Sequence, residues 1–135
     1  MSERIAGSCL CKKVRFSVAN QFKRFYLCHC TQCQKITGSA HAANLFTSPD
    51  NIQWTEREQF ITRFVHPSRD FSTAFCACCG CGLPFVTKSG RALIVPAGSL
   101  DQQPALVPNE NIFWSERVSW YEAGLQARHC AGFPD

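Results

Sequence analysis

A mainly β fold of short strands is the architecture this sequence predicts. Three observations carry that expectation. Apolar and polar residues alternate over short runs, the two-residue period of a half-buried strand. Turn residues recur at roughly ten-residue spacing. No stretch repeats its apolar residues at the interval of a long amphipathic helix. The 135 residues suffice for a single domain with a modest core. No repeat or low-complexity stretch divides residues 1–135.

Ile5 to Val18 opens the chain, with Val14, Phe16 and Val18 alternating against Lys13, Arg15 and Ser17. Asn20-Gln21 reads as a turn. Lys23 to Cys30 is extended again, with Phe25 and Leu27 against Arg24 and Tyr26. Thr31 to Thr37 reads as a helical turn stopped by Gly38. His41 to Thr47 and Asn51 to Thr55 are short strands around Ser48-Pro49-Asp50. Gln59 to Val65 alternates, and His66 to Asp70 is a loop. Phe71 to Phe75 runs into a cysteine cluster at 76–81. Leu83 to Thr87 and Arg91 to Pro96 are strands joined by the Lys88-Ser89-Gly90 turn. Ser99 to Gln103 is a short helical turn. Ile112 to Tyr121 is apolar and aromatic; its Phe113, Trp114 and Trp120 offer a pocket lining, with core packing the safer reading.

The ten cysteines need a chemical reason. No apolar leader follows Met1-Ser2-Glu3-Arg4, and no run of about 18 apolar residues offers a membrane span. A cytoplasmic location follows, and clustered thiols in a reducing compartment are metal ligands more often than disulfides. Cys28 and Cys30 are two apart on an extended segment and so share a face, with His29 on the other. The gap through Thr31 and Gln32 lets the chain turn so that Cys33 joins them. Zinc takes thiolate sulfur in a tetrahedron, and three close ligands without a local fourth describe an open, reactive site.

A closed four-sulfur site needs a second set. Cys76-x-x-Cys79-Gly80 has the form of a zinc knuckle, and Cys9-Leu10-Cys11 supplies the distant pair. Cys78-x-x-Cys81-Gly82 has the same form, so the register within the cluster stays open at this level, as does closure of the trio by Cys78 or Cys81. Cys130 reads as a free, partly buried thiol. His41, His66 and His129 stand alone and read as surface or hydrogen-bonded residues. The formal charge of +4 falls to about +1 if seven thiolates hold two zinc ions. With no long basic run, nucleic acid is not an expected partner.

Taken in order, Gly7-Ser8-Cys9-Leu10-Cys11, Cys28-His29-Cys30-Thr31-Gln32-Cys33 with Gly38, and Phe75-Cys76-Ala77-Cys78-Cys79-Gly80 resemble the family of glutathione-dependent formaldehyde-activating enzymes and centromere protein V. Asn111-Ile112-Phe113-Trp114 and Trp120-Tyr121 fit its C-terminal pattern. The resemblance implies a β-tent of short antiparallel sheets stabilised by two zinc ions. It implies a structural zinc on Cys9, Cys11, Cys76 and Cys79 and a catalytic zinc on Cys28, Cys30 and Cys33. It also implies a carbon–sulfur lyase that joins glutathione and formaldehyde as S-(hydroxymethyl)glutathione. The partners are then a small thiol and a small aldehyde, with Lys35, Arg63 or Arg69 as cations for the carboxylates of glutathione. The extra thiols Cys78, Cys81 and Cys130 depart from the pattern. The alternative is a non-catalytic, zinc-stabilised binding module, which would close the trio and expose an apolar or basic patch.

Overall fold

The computed structural model describes residues 3–134. In chain order its strands are β1 (Arg4–Ser8), β2 (Arg15–Ala19), β3 (Arg24–Cys28), β4 (Ala42–Thr47), β5 (Gln53–Glu56), β6 (Ile61–Val65), β7 (Ser72–Cys76), β8 (Gly82–Leu83), β9 (Phe85–Val86), β10 (Leu93–Pro96) and β11 (Glu110–Ile112). Two short helices, α1 (Thr31–Thr37) and α2 (Tyr121–Gln126), complete the regular structure with three 3-10 turns. The strands form three small sheets, ordered β1-β2-β5, β11-β3-β4-β10-β9 and β6-β7-β8. The expected mainly β architecture is present. No helix among the described residues is long and apolar enough to cross a membrane.

The alternation read from the sequence sets which faces are buried. Ile5, Phe16 and Val18 from the first sheet, with Val14 just before β2, meet Phe25, Leu45, Leu93 and Val95 from the second and Leu83 from the third. Cys9 and Cys76 lie in the same core. Gly7 stands opposite Phe16 in the β1–β2 ladder, and the Phe16 ring lies where a Cβ on residue 7 would sit. Only glycine permits that approach. A second, smaller cluster holds Cys28, Cys30, Cys33 and Ala42.

Four local expectations are corrected. Leu83 to Thr87 is not one strand: buried Pro84 has no N–H to give a ladder, so β8 and β9 part there and join different sheets. The turn expected at Ser99 to Gln103 falls at Ala97–Ser99, where the Ser99 hydroxyl donates to the Pro96 carbonyl at 2.6 Å and closes the turn. The sheets are not wholly antiparallel, because β11 pairs parallel with β3 after a long return of the chain. Phe113, Trp114 and Trp120 are not core residues; they are 56%, 37% and 57% exposed. β11 pairs only Glu110–Ile112 with the edge of β3, and the three aromatics follow it on a strap outside the ladder.

Candidate metal centres and the cavity over the cysteine trio

The hairpin of β1 and β2 turns through Cys9-Leu10-Cys11, and Lys12 takes the left-handed conformation with φ 64° to close it. On the other side β7 ends at Cys76, and Gly80 at φ 76° lets the chain fold back to β8. These two turns bring Cys9, Cys11, Cys76 and Cys79 together, every sulfur within 4.8 Å of the others. Cys9 and Cys11 sulfurs are 3.5 Å apart, and those of Cys11 and Cys76 3.9 Å. A tetrahedron with metal–sulfur bonds of about 2.3 Å spaces its sulfurs by ~3.8 Å. The donor set and its span therefore fit a zinc ion. Backbone N–H groups of Val14 and Cys78 donate to Cys9 and Cys76 sulfurs, both at 3.4 Å, though burial still pushes the Cys76 thiol up.

The register left open by the sequence takes the Cys76/Cys79 form in space. Cys78 is exposed and its sulfur lies 3.8 Å from the Lys13 ammonium. The Cys81 thiol donates to the Gly82 carbonyl at 3.4 Å. Cys130 is exposed rather than partly buried, because the whole tail from 122 to 134 lies open to solvent.

The second grouping is Cys28, Cys30 and Cys33, all buried and within 4.8 Å of one another. β3 delivers Cys28, and Cys30 caps α1, its sulfur accepting from the Cys33 N–H at 3.4 Å. Among the described residues no fourth cysteine, histidine or carboxylate joins this group. Contact with Cys33 pulls the Cys28 thiol down to about 6, against its burial. Contact with Cys28, together with burial, in turn pushes the Cys33 thiol up. One negative sulfur thus opposes ionisation of the next, and a dication would remove that opposition. The trio, too, fits a thiophilic metal ion.

His29 points away from the trio, as its position between Cys28 and Cys30 leads one to expect. It is fully buried, with its Nε2 2.9 Å from Asn111 Oδ1. His41 is not isolated: it is half-buried, 5.1 Å from the His29 ring and 5.4 Å from that of Tyr121. Burial lowers its pKa.

A cavity of about 460 Å³ opens over the trio, with Cys28, Cys30 and Cys33 in its lining. Phe71, Ile94 and Phe113 give it apolar wall, and Arg69, Asp70, Lys88 and Glu116 supply charge of both signs. Of the three cations proposed from the sequence, only Arg69 lines it. Its guanidinium donates to Gln32 Oε1 at 3.2 Å. Lys35 lies in an adjoining groove with Ile36 and Phe64, and Arg63 donates to the Val86 carbonyl at 2.8 Å. Sequence reasoning missed Lys88, which a turn 19 residues beyond Arg69 carries to the same cavity. Its ammonium donates to the carbonyls of His66 and Arg69, both at 2.8 Å.

The family described as glutathione-dependent formaldehyde-activating enzyme matches residues 4–116, a span that takes in both cysteine groups and the rim of the cavity. The chain belongs to that family. Among solved structures, one of a Rhodobacter sphaeroides protein resembles this formaldehyde-activating-enzyme relative with a TM-score of 0.61. The likeness covers 77% of this chain and 98% of that one, at 18% identity, and so speaks for the fold. No curated protein matches the chain in sequence. The matched span ends at Glu116, before α2 and the exposed tail.

Proposed function

We propose that this member of the family is a zinc-dependent carbon–sulfur lyase acting on the adduct of a glutathione-type thiol with a small aldehyde, in the cytoplasm. Cys9, Cys11, Cys76 and Cys79 hold a structural zinc, and Cys28, Cys30 and Cys33 hold the catalytic one. The observation that carries this reading is the buried sulfur trio in the lining of a cavity whose charged residues match a zwitterionic peptide. Bound zinc would favour the thiolate form of an arriving thiol near neutral pH.

The remaining work falls to side chains. In the condensation a sulfur–carbon bond forms, the carbonyl π pair moves to oxygen, and the proton lost by the thiol ends on that oxygen. Arg69 keeps part of its guanidinium fork free of Gln32 and offers it to a carboxylate. Lys88 has two donors engaged by carbonyls and a third for the same purpose. Asp70 and Glu116 face the cavity as partners for the substrate ammonium. Phe71 and Phe113 shield the reacting sulfur from water. The cavity of about 460 Å³ has room for a tripeptide thiol and a one-carbon aldehyde together.

Thiols add to formaldehyde unaided, so the test reads acceleration over that background. Cys30→Ser is expected to halve the zinc content and return thiol–formaldehyde exchange, followed by magnetisation-transfer NMR, to the uncatalysed rate. A variant with half the zinc and an unchanged exchange rate overturns the mechanism. The exposed Trp120, Leu125 and Phe133 favour a second reading, a zinc-stabilised binding module. That module would leave the wild-type exchange rate at background.

A further inference from the structure

We propose that the strap from Asn111 to Glu116 is an outer clasp on the cysteine trio, with Asn111 acting through His29 as its positioning residue. The inference rests on the reading that the trio holds zinc. His29 sits between two of the three sulfurs in sequence and is 0% exposed. Its main-chain N–H donates to the Ile112 carbonyl at 3.0 Å. Its ring lies 2.9 Å from Asn111 through Nε2 and Oδ1, so the imidazole is the donor and carries its hydrogen on Nε2. The other ring nitrogen, Nδ1, is buried with no partner among the described residues. Trp114, Tyr121 and His41 surround the ring at 5.0, 4.8 and 5.1 Å between centroids. Among the described residues Asn111 is thus the one hydrogen-bond partner that orients this ring, and losing it would orphan a buried N–H.

The clasp closes on the helix side as well. Gln34 Nε2 donates to the His29 carbonyl at 2.8 Å and to the Glu116 carbonyl at 3.1 Å. The Thr31 N–H donates to Glu116 Oε1 at 3.1 Å. The residues on both sides of Cys30 are therefore tied to the strap. The strap holds its own route under strain, since Phe113 lies at φ 55°, a conformation bulky side chains rarely take. Groups that orient metal ligands from outside govern how long the ion stays.

The test compares Asn111→Leu, Asn111→Asp and Gln34→Met with wild type, each loaded with zinc. Release to an excess of a chromophoric chelator is followed in time, and Cys30→Ser identifies the trio's phase by lacking it. Cobalt(II) replacement reports the geometry of the sulfur ligands through its d–d bands. Asn111→Leu is expected to speed the trio's release about 10- to 100-fold, leave the four-sulfur phase unchanged and shift the cobalt bands. Asn111→Asp still accepts from Nε2 and restores both readouts, and Gln34→Met speeds the same phase alone. Unchanged release in Asn111→Leu and Gln34→Met, or equal acceleration of both phases, overturns the clasp. Wild type that binds a single ion overturns the zinc reading of the trio and the clasp with it.

Discussion

At the residue scale, the chemistry of the trio turns on unequal thiols. Against an ordinary value of 9.0, Cys28 is drawn to about 6 by Cys33, while Cys33 is pushed upward. Near pH 7 the metal-free trio therefore carries Cys28 as thiolate and Cys33 as thiol. A metal ion must expel the Cys33 proton, and below about pH 6 it must expel the Cys28 proton too. Apparent zinc affinity should fall with acid, with an added slope of about tenfold per pH unit once Cys28 protonates. Chelator competition between pH 5 and 8 checks this, and an affinity that holds flat or rises in acid contradicts it. The cysteine residues were legible because their spacing carries geometry. The partner of His29 was not, since Asn111 lies 82 positions away.

At the element scale, the β9–β10 turn and the loop from His66 to Phe71 form one side of the cavity. Lys88 reaches from the turn into the loop, and Arg69 reaches from the loop to Gln32 on α1. Under the proposed function these are binding elements rather than groups that transfer protons. Lys88→Met should loosen the loop and raise KM for the thiol about tenfold or more with kcat little changed, since a hydrogen bond from a charged group is worth about 1.5–3 kcal/mol. Arg69→Ala should raise KM about tenfold or more by the loss of a charge-assisted contact. Steady-state kinetics with varied thiol decide it: a fall in kcat at constant KM in either variant removes the loop from substrate binding. The strands themselves were readable from alternation. The break at Pro84 was readable in principle, as a proline within a strand always is, while the 3-10 turn at Ala97–Ser99 depends on a single hydroxyl contact.

At the scale of the whole molecule, the four-sulfur cluster stitches two sheets. Cys9 and Cys11 belong to the β1–β2 hairpin, and Cys76 and Cys79 to the β7–β8 turn, 65 residues further on from Cys11 to Cys76. Strands of two to six residues make a small core, and an ion at this seam would add stability that short ladders do not supply. Removing zinc with a strong chelator is expected to lower the melting temperature by at least about 10 °C. Circular dichroism on metal-free and reconstituted protein measures it, and an unchanged melting curve in metal-free protein would remove the stitch from the account. The strap is the other feature of this scale. β11 lies at the edge of a five-stranded sheet beside β3 only because the chain returns to it in parallel.

The sequence by itself determined the strand-rich class, the two cysteine groups and the face on which His29 lies, because each follows from a short-range period or spacing along the chain. Tertiary structure alone decided which knuckle register meets Cys9 and Cys11, that Lys88 rather than Arg63 joins Arg69 at the cavity, and that an aromatic segment lies outside as a strap instead of inside as core. Those choices depend on which distant backbones pack side by side, and a linear pattern of residues carries no measure of that distance.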